Sequence, residues 1–164
     1  METDRRLLAV VAHPDDETFG AGSVLAWAAG QGAEVTVACG TRGEAGEIAP
    51  GSAATPESLG DVREAELRAA AKTLGVARVE LHGYRDSGMA GTAQNGHPDA
   101  LINAPQEDVA ALVVRVTRSV RPHVVITMEP GGGYGHPDHI RMTEIAVRAF
   151  WLAGDAAYTA AGAG

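Results

Sequence analysis

Two stretches of the chain gather side chains able to bind a metal or move protons. They are Ala12-His13-Pro14-Asp15-Asp16-Glu17 and Gly131-Gly132-Gly133-Tyr134-Gly135-His136-Pro137-Asp138-His139. His13 and Asp16 stand three positions apart, a spacing at which one sharp turn can aim an imidazole and a carboxylate at the same point. His139 joins them if the two stretches meet. Two imidazoles and one carboxylate leave a position of a zinc site open to water. The metal then lowers that water's pKa from about 15.7 toward about 7 and polarises a carbonyl beside it. Such hydrolytic chemistry needs a proton acceptor outside the ligand set, and Asp15 is suited to it. His136, one turn ahead of His139, is suited to donate to the oxygen on which charge develops.

Plainer readings stand beside these. Asp16 can be a helix N-cap, Asp15 a first-turn charge favoured by the helix dipole, and His139 a surface residue. The chain also holds a control, because His97-Pro98-Asp99 repeats the tripeptide with Ala100 where a second ligand would stand. It follows no strand pattern and reads as a Pro-induced turn. The discriminating residues are therefore Asp16 and His139. Two further classes remain open on the residues alone. Two histidines and one carboxylate also describe the facial triad of non-haem Fe(II) enzymes. A non-catalytic module could cradle a nucleotide phosphate on residues 131–135, although neither GxxxxGK[ST] nor GxGxxG is present.

Elements must bring these stretches together. Apolar runs at residues 7–12, 35–38, 79–81 and 123–128 predict four strands buried on both faces. A helix pattern follows each. The first covers 18–29 and closes at Gly30. The second covers 61–74, with Asp61 as N-cap and Gly75 as terminator. In the third, Val109, Leu112, Val113, Val116 and Val120 recur until Pro122; in the fourth, Met142, Ile145, Ala146, Ala149, Phe150 and Ala153 share a face. Pro137 suits the first position of that last helix, which puts His139 on its inward side. Strand and helix alternating four times predict an α/β fold: a three-layer, Rossmann-like, mostly parallel sheet with helices on both faces. Ligands collect beyond the carboxyl ends of such strands, where both stretches fall. The long loops 40–60 and 84–105 lie there too, and the tail 154–164 has too little apolar bulk to pack firmly.

Composition bounds the function. The 164 residues, 45% hydrophobic and 21% charged, describe a single domain over 1–164 that needs no metal merely to fold. A net charge of −8 disfavours nucleic acid and anionic lipid as partners. The single cysteine, Cys39, and the lack of a signal-like start make the cytoplasm the expected location. No apolar run approaches the ~20 residues of a membrane span. The expected partner is a small molecule, and a homo-oligomer is compatible with all of this.

AHPDDE after the first strand, with GGYGHPDH after the fourth, resembles the zinc-dependent de-N-acetylases that include the N-acetylglucosaminyl-phosphatidylinositol de-N-acetylases, the PIG-L or LmbE-like family. The run Tyr84-Arg85-Asp86-Ser87-Gly88-Met89-Ala90-Gly91-Thr92 is similar to the bacterial branch acting in mycothiol metabolism. The resemblance implies hydrolysis of the N-acetyl amide of an N-acetylglucosamine conjugate, with Zn2+, or Fe2+ in its place. It assigns His13, Asp16 and His139 as metal ligands, Asp15 as base and His136 as stabiliser of the tetrahedral intermediate. It also implies that Arg63 and Asp86 contact sugar hydroxyls. Their plain alternatives are an intrahelical Arg63–Glu66 pair and a turn carboxylate. Members of the family are longer, with a segment after the last helix that completes the substrate pocket.

The remaining polar and aromatic residues read as structural. Cys39 reads as a small buried hydrophobe, His82 and His123 as hydrogen-bonded structural histidines, and Trp27 and Trp151 as core or interface packing. Glu44 and Glu47 either line the pocket mouth or solvate it.

Overall fold

A computed structural model describes residues 4–160. Four parallel strands form one sheet: β1 (Arg6–Val11), β2 (Glu34–Thr41), β3 (Arg78–Tyr84) and β4 (Val124–Ile126), in the spatial order β3-β2-β1-β4. The connecting helices are α1 (Asp16–Phe19), α2 (Gly22–Gly30), α3 (Leu59–Leu74), α4 (Gln106–Val120), α5 (Gly132–Gly135) and α6 (Pro137–Gly154). This is the parallel, helix-flanked α/β fold expected from the alternation.

Strand β1 shows why the sheet has two cores. Its side chains alternate, so Leu8, Val10 and Ala12 pack beneath α4 and α6 with Val109, Val113, Met142, Ile145 and Ala149. Leu7, Ala9 and Val11 face the opposite way and pack with Leu25, Ala28, Val35, Val37, Cys39 and Leu67. The continuous apolar run of β1 is the signature of a strand covered on both sides. Only β1 and β2 fit that description. The outer strands do not: Val124 on β4 is 52% exposed, and β3 is only partly buried along its length.

Several boundaries differ from the sequence pattern. The predicted helix 18–29 is broken in two, with Gly20 ending α1 and Ala21, at φ −133°, turning the chain into α2. A Cβ on Gly20 would stand 2.9 Å from the Asp16 carbonyl oxygen, so this tight turn requires glycine. Helix α3 starts at Leu59 after Ser58, and Asp61 lies inside its first turn paired with Arg42, so Asp61 is not the N-cap. Gly75 ends α3 at φ 76°, as its sequence position implies. The run 123–128 yields only three strand residues, because β4 pairs with β1 alone, from Leu7 opposite Val124 to Ala9 opposite Ile126. Trp27 and Trp151 are 66% and 72% exposed and lie outside the core.

The tail is more ordered than its composition suggests. Tyr158 packs against the α4/α6 core and Ala160 is buried. Arg118 gathers the carbonyls of Leu152, Ala153, Asp155 and Tyr158. Residues 161–164 of the predicted tail lie outside the described region.

Candidate metal centre

The chain runs from β1 outward to β3 and then returns to the other side of β1 to form β4. A crevice opens where connections diverge like this, at the carboxyl ends of β1 and β4. His13 follows β1, and His136 and His139 follow β4, so the topology brings the two stretches face to face. Pro137 occupies the first turn of α6, and His136 is its N-cap, with Nδ1 accepting the Asp138 backbone N–H at 3.2 Å.

Three donors converge. His13 Nδ1 lies 3.0 Å from His139 Nε2 and 3.6 Å from Asp16 Oδ2, and His139 Nε2 lies 3.3 Å from Asp16 Oδ1. A tetrahedron built on Zn–N and Zn–O bonds of about 2.0–2.1 Å has edges of roughly 3.3–3.4 Å, and each nitrogen's separation from the Asp16 oxygen facing it and from the other nitrogen falls within a few tenths of an ångström of that length. All three residues are buried.

The surroundings decide which nitrogens are available. His13 Nε2 donates to Asp138 Oδ2 at 3.2 Å, and Asp138 accepts from the Ser87 backbone N–H at 2.8 Å and the Ser87 hydroxyl at 2.5 Å. His139 Nδ1 donates to the Gly132 carbonyl at 3.1 Å. With those nitrogens engaged, His13 Nδ1 and His139 Nε2 keep the lone pairs that a cation needs. This is the histidine–carboxylate and histidine–carbonyl support that metal-ligating imidazoles use. Asp16 is fixed similarly, its Oδ2 accepting the N–H groups of Ala12 and His13 at 3.2 and 2.9 Å. Among the described residues, the triplets whose ligand atoms all lie within 4.8 Å of one another are His13 with His136 and His139, and His13 with Asp86 and Asp138. In the second of them Asp138 is already held by Ser87, whereas in the first His136 Nε2 remains available.

The electrostatics ask for a cation. Burial disfavours charge on His13, but the carboxylates of Asp138, Asp16 and Asp86 outweigh it and hold the imidazole well above its usual range. Burial would raise Asp16 and Asp86, yet the neighbouring histidines keep Asp16 well below the ordinary range and bring Asp86 down to about 2. Asp15 behaves differently. Burial raises its pKa, and the Arg63 guanidinium only partly offsets this. His136 is pushed down by burial and then by His13, which favours its neutral form. Because its Nδ1 accepts a hydrogen bond, the ring proton sits on Nε2, 3.9 Å from Asp86 Oδ1.

A cavity of about 410 Å³ opens beside His13, lined also by Asp15, Arg63, Asp86, Tyr134 and His136 among others. Arg63 makes no pair with Glu66. Its guanidinium instead reaches from α3 to the carbonyls of Gly43 and Pro14 and, at 2.7 Å, to the Asp15 carboxylate. Asp86 is 3% exposed and faces His13 at 3.5 Å, while its Oδ1 also accepts the Gly88 N–H. Glu47 lines the cavity, and Glu44 holds the Asp86 backbone N–H.

Sequence reasoning missed Asp138, Ser87 and Glu17. Asp138 and Ser87 are completely buried and Glu17 is 1% exposed. Asp138 was hidden because the same His-Pro-Asp run recurs at 97–99, where the aspartate is exposed and belongs to a turn. His123 is hydrogen-bonded as expected, through the Arg6 N–H, but His82 Nε2 is buried without a hydrogen-bond partner. Cys39 is fully buried and its thiol faces the carbonyls of Ala12 and Thr41, which fits a structural role. The amides of Gly131 and Gly133 are both taken by the Glu129 carboxylate at 2.6 Å, so the glycine run has no free cradle for a phosphate.

Comparison with known proteins gives the same frame. Residues 8–150 match the family described as GlcNAc-PI de-N-acetylase, PIG-L. A 1D-myo-inositol 2-acetamido-2-deoxy-alpha-D-glucopyranoside deacetylase of Rhodococcus erythropolis is 48% identical over 96% of this chain and 57% of its own length. N,N'-diacetylchitobiose deacetylase from Pyrococcus horikoshii superposes with a TM-score of 0.73 at 25% identity, over 90% of this chain and 50% of that one. GalB, the 4-carboxy-2-hydroxymuconate hydratase of Pseudomonas putida KT2440, superposes at 0.75 with 28% identity, over 94% of this chain and 59% of that one. The chain thus spans about half the length of the curated relatives it matches. On the match across residues 8–150, this chain belongs to the PIG-L family of GlcNAc-PI de-N-acetylases.

Proposed function

We propose that this chain carries a metal-dependent N-deacetylase site acting on the N-acetyl amide of an N-acetylglucosamine conjugate, releasing acetate and a free amino sugar. His13, Asp16 and His139 would hold the metal. The observation that carries this reading is the convergence of His13 Nδ1 and His139 Nε2, 3.0 Å apart, on the Asp16 carboxylate, whose Oδ2 and Oδ1 lie 3.6 and 3.3 Å from them respectively, with the lone pairs freed by Asp138 and Gly132. Two imidazoles and a carboxylate suit zinc, and the same donors accept Fe2+. A bound divalent ion supplies Lewis acidity, which activates water at neutral pH and polarises the amide carbonyl.

The chain's own groups account for the rest. Asp15 faces the cavity, is not needed as a ligand, and has a carboxyl that burial makes a better base than an ordinary aspartate. It takes the proton of the attacking water and returns it to the departing amine. Neutral His136 offers its Nε2–H to the carbonyl oxygen as that oxygen becomes negative. Arg63 and Asp86 face the same cavity and supply contacts to sugar hydroxyls, Arg63 from beside Asp15 and Asp86 from beside His136. The substrate for which the Rhodococcus relative is named, an inositol 2-acetamido-2-deoxyglucopyranoside, makes N-acetylglucosaminyl-inositol the first substrate to test.

The test pairs metal content with acetate release from N-acetylglucosaminyl-inositol. His13→Ala is expected to lose the metal, whereas Asp15→Asn keeps it and loses turnover. Full turnover by Asp15→Asn removes the base assignment. Oxygen consumption without acetate release would point to iron redox chemistry instead.

A further inference from the structure

The backbone of Asp15 is unusual. It sits at φ 115°, ψ −31°, one of two non-glycine residues with positive φ among the described residues. A side chain in such a region is strained and persists only where its surroundings impose it. The Asp15 carbonyl is engaged by the N–H groups of Thr18 and Phe19. The Asp15 N–H turns to the Glu17 carboxylate, whose Oε2 accepts it at 2.9 Å, while Oε1 accepts the Thr18 hydroxyl at 2.6 Å. Glu17 is 1% exposed, whereas a glutamate that only favours a helix dipole stays in water. Burying an acid two residues from the strained position makes sense if that acid imposes the strain.

We propose that Glu17 is a positioning residue: its buried carboxylate holds the Asp15 backbone in this turn and thereby points the Asp15 carboxyl into the cavity. The proposal rests on the reading that Asp15 is the proton acceptor. Arg63 fixes the far end of the same side chain through the Asp15 carboxylate and the Pro14 carbonyl. Glu17 fixes the near end through the backbone, and together they define where the base stands.

The experiment uses Glu17→Met, which keeps length and apolar fill, and Glu17→Gln, whose amide oxygen still accepts an N–H. Acetate release from N-acetylglucosaminyl-inositol, zinc content and thermal midpoint are measured for each. Glu17→Met is expected to lower kcat by at least about tenfold, a fraction of what a general base contributes, with KM and zinc content unchanged. Glu17→Gln is expected to restore most of the rate. In an Asp15→Asn background, Glu17→Met should have no further effect on the residual rate. An equal loss in both backgrounds, or loss of zinc as the cause, overturns the proposal.

A second cycle reads the backbone without turnover. Asp15→Gly removes the penalty of positive φ, so losing Glu17 releases no strain there, and Glu17→Met should lower the thermal midpoint more in that background than in the native one. Equal lowering, or a Glu17→Met chain that fails to fold in both backgrounds, also overturns it. If Asp15→Asn retains full turnover, the base assignment fails, while this thermal cycle still reads the Glu17–Asp15 contact.

Discussion

His13 donates Nε2–H to Asp138, and Asp138 is itself held by the amide and hydroxyl of Ser87, so the imidazole can present Nδ1 in only one orientation. Support of this kind is worth roughly 10–100-fold in metal affinity when it is removed. Asp138→Asn is therefore expected to weaken zinc binding by that factor while leaving three ligands in place, and Ser87→Ala to weaken it less. A competition titration against a chelator of known affinity reads both, and unchanged affinity in Asp138→Asn would show that the contact is incidental. The proposed ligands His13, Asp16 and His139 were legible because their types and spacing are rare together. Asp138 was not, since a carboxylate after His-Pro says turn as readily as support. Only burial separates Asp138, at 0% exposure, from Asp99 in the repeated tripeptide, and burial is a property of the folded chain. The contacts Arg63 makes were hidden for a related reason: its partners, at positions 14, 15 and 43, are distant in sequence and no helix periodicity points to them.

At the scale of elements, continuous apolar runs located every strand and the period-3.6 pattern the core of α3, α4 and α6, because burial is what both record. Ends were read less well, since they depend on local geometry and on neighbours. The break at Gly20 and the shortness of β4 both belong to this class. His82 on β3 yields a prediction of the same kind. Burial depresses its pKa, Glu80 and Arg115 acting in opposite senses, and its Nε2 has no hydrogen-bond partner. The folded state thus disfavours the imidazolium, and the unfolded chain binds the proton more readily. Stability therefore increases with pH, and the His82 contribution is lost as pH falls below the unfolded value of about 6.5. Urea unfolding of the native chain and His82→Leu, compared at pH 8 and 5.5, should show the variant gaining relative to the native chain at the lower pH. A pH-independent difference between them would mean that His82 does not titrate across this window.

Across the whole molecule, the sheet order β3-β2-β1-β4 places the two outermost motifs at one point, and that point is where the two halves of the chain meet. His13 and Asp16 belong to the β1 turn, while His139 belongs to the first turn of α6, 123 residues or more away in sequence. The sequence pattern put both motifs beyond the carboxyl ends of parallel strands, where ligands collect, and the observed sheet is parallel as expected. Among the described residues, no helix is long and apolar enough to cross a membrane. A cation shared between the β1 turn and α6 would act as a cross-link present only in the folded state. Zinc at about 1,000 times its Kd is then expected to add about 4 kcal/mol to unfolding free energy. The thermal midpoint should rise on adding zinc and return on adding a chelator. Asp16→Ala and His139→Ala should each abolish the rise, although they lie on opposite sides of the crevice, whereas Asp15→Asn should retain it. A rise that survives both ligand substitutions would place zinc elsewhere on the chain and leave the convergence at His13, Asp16 and His139 without a metal to hold.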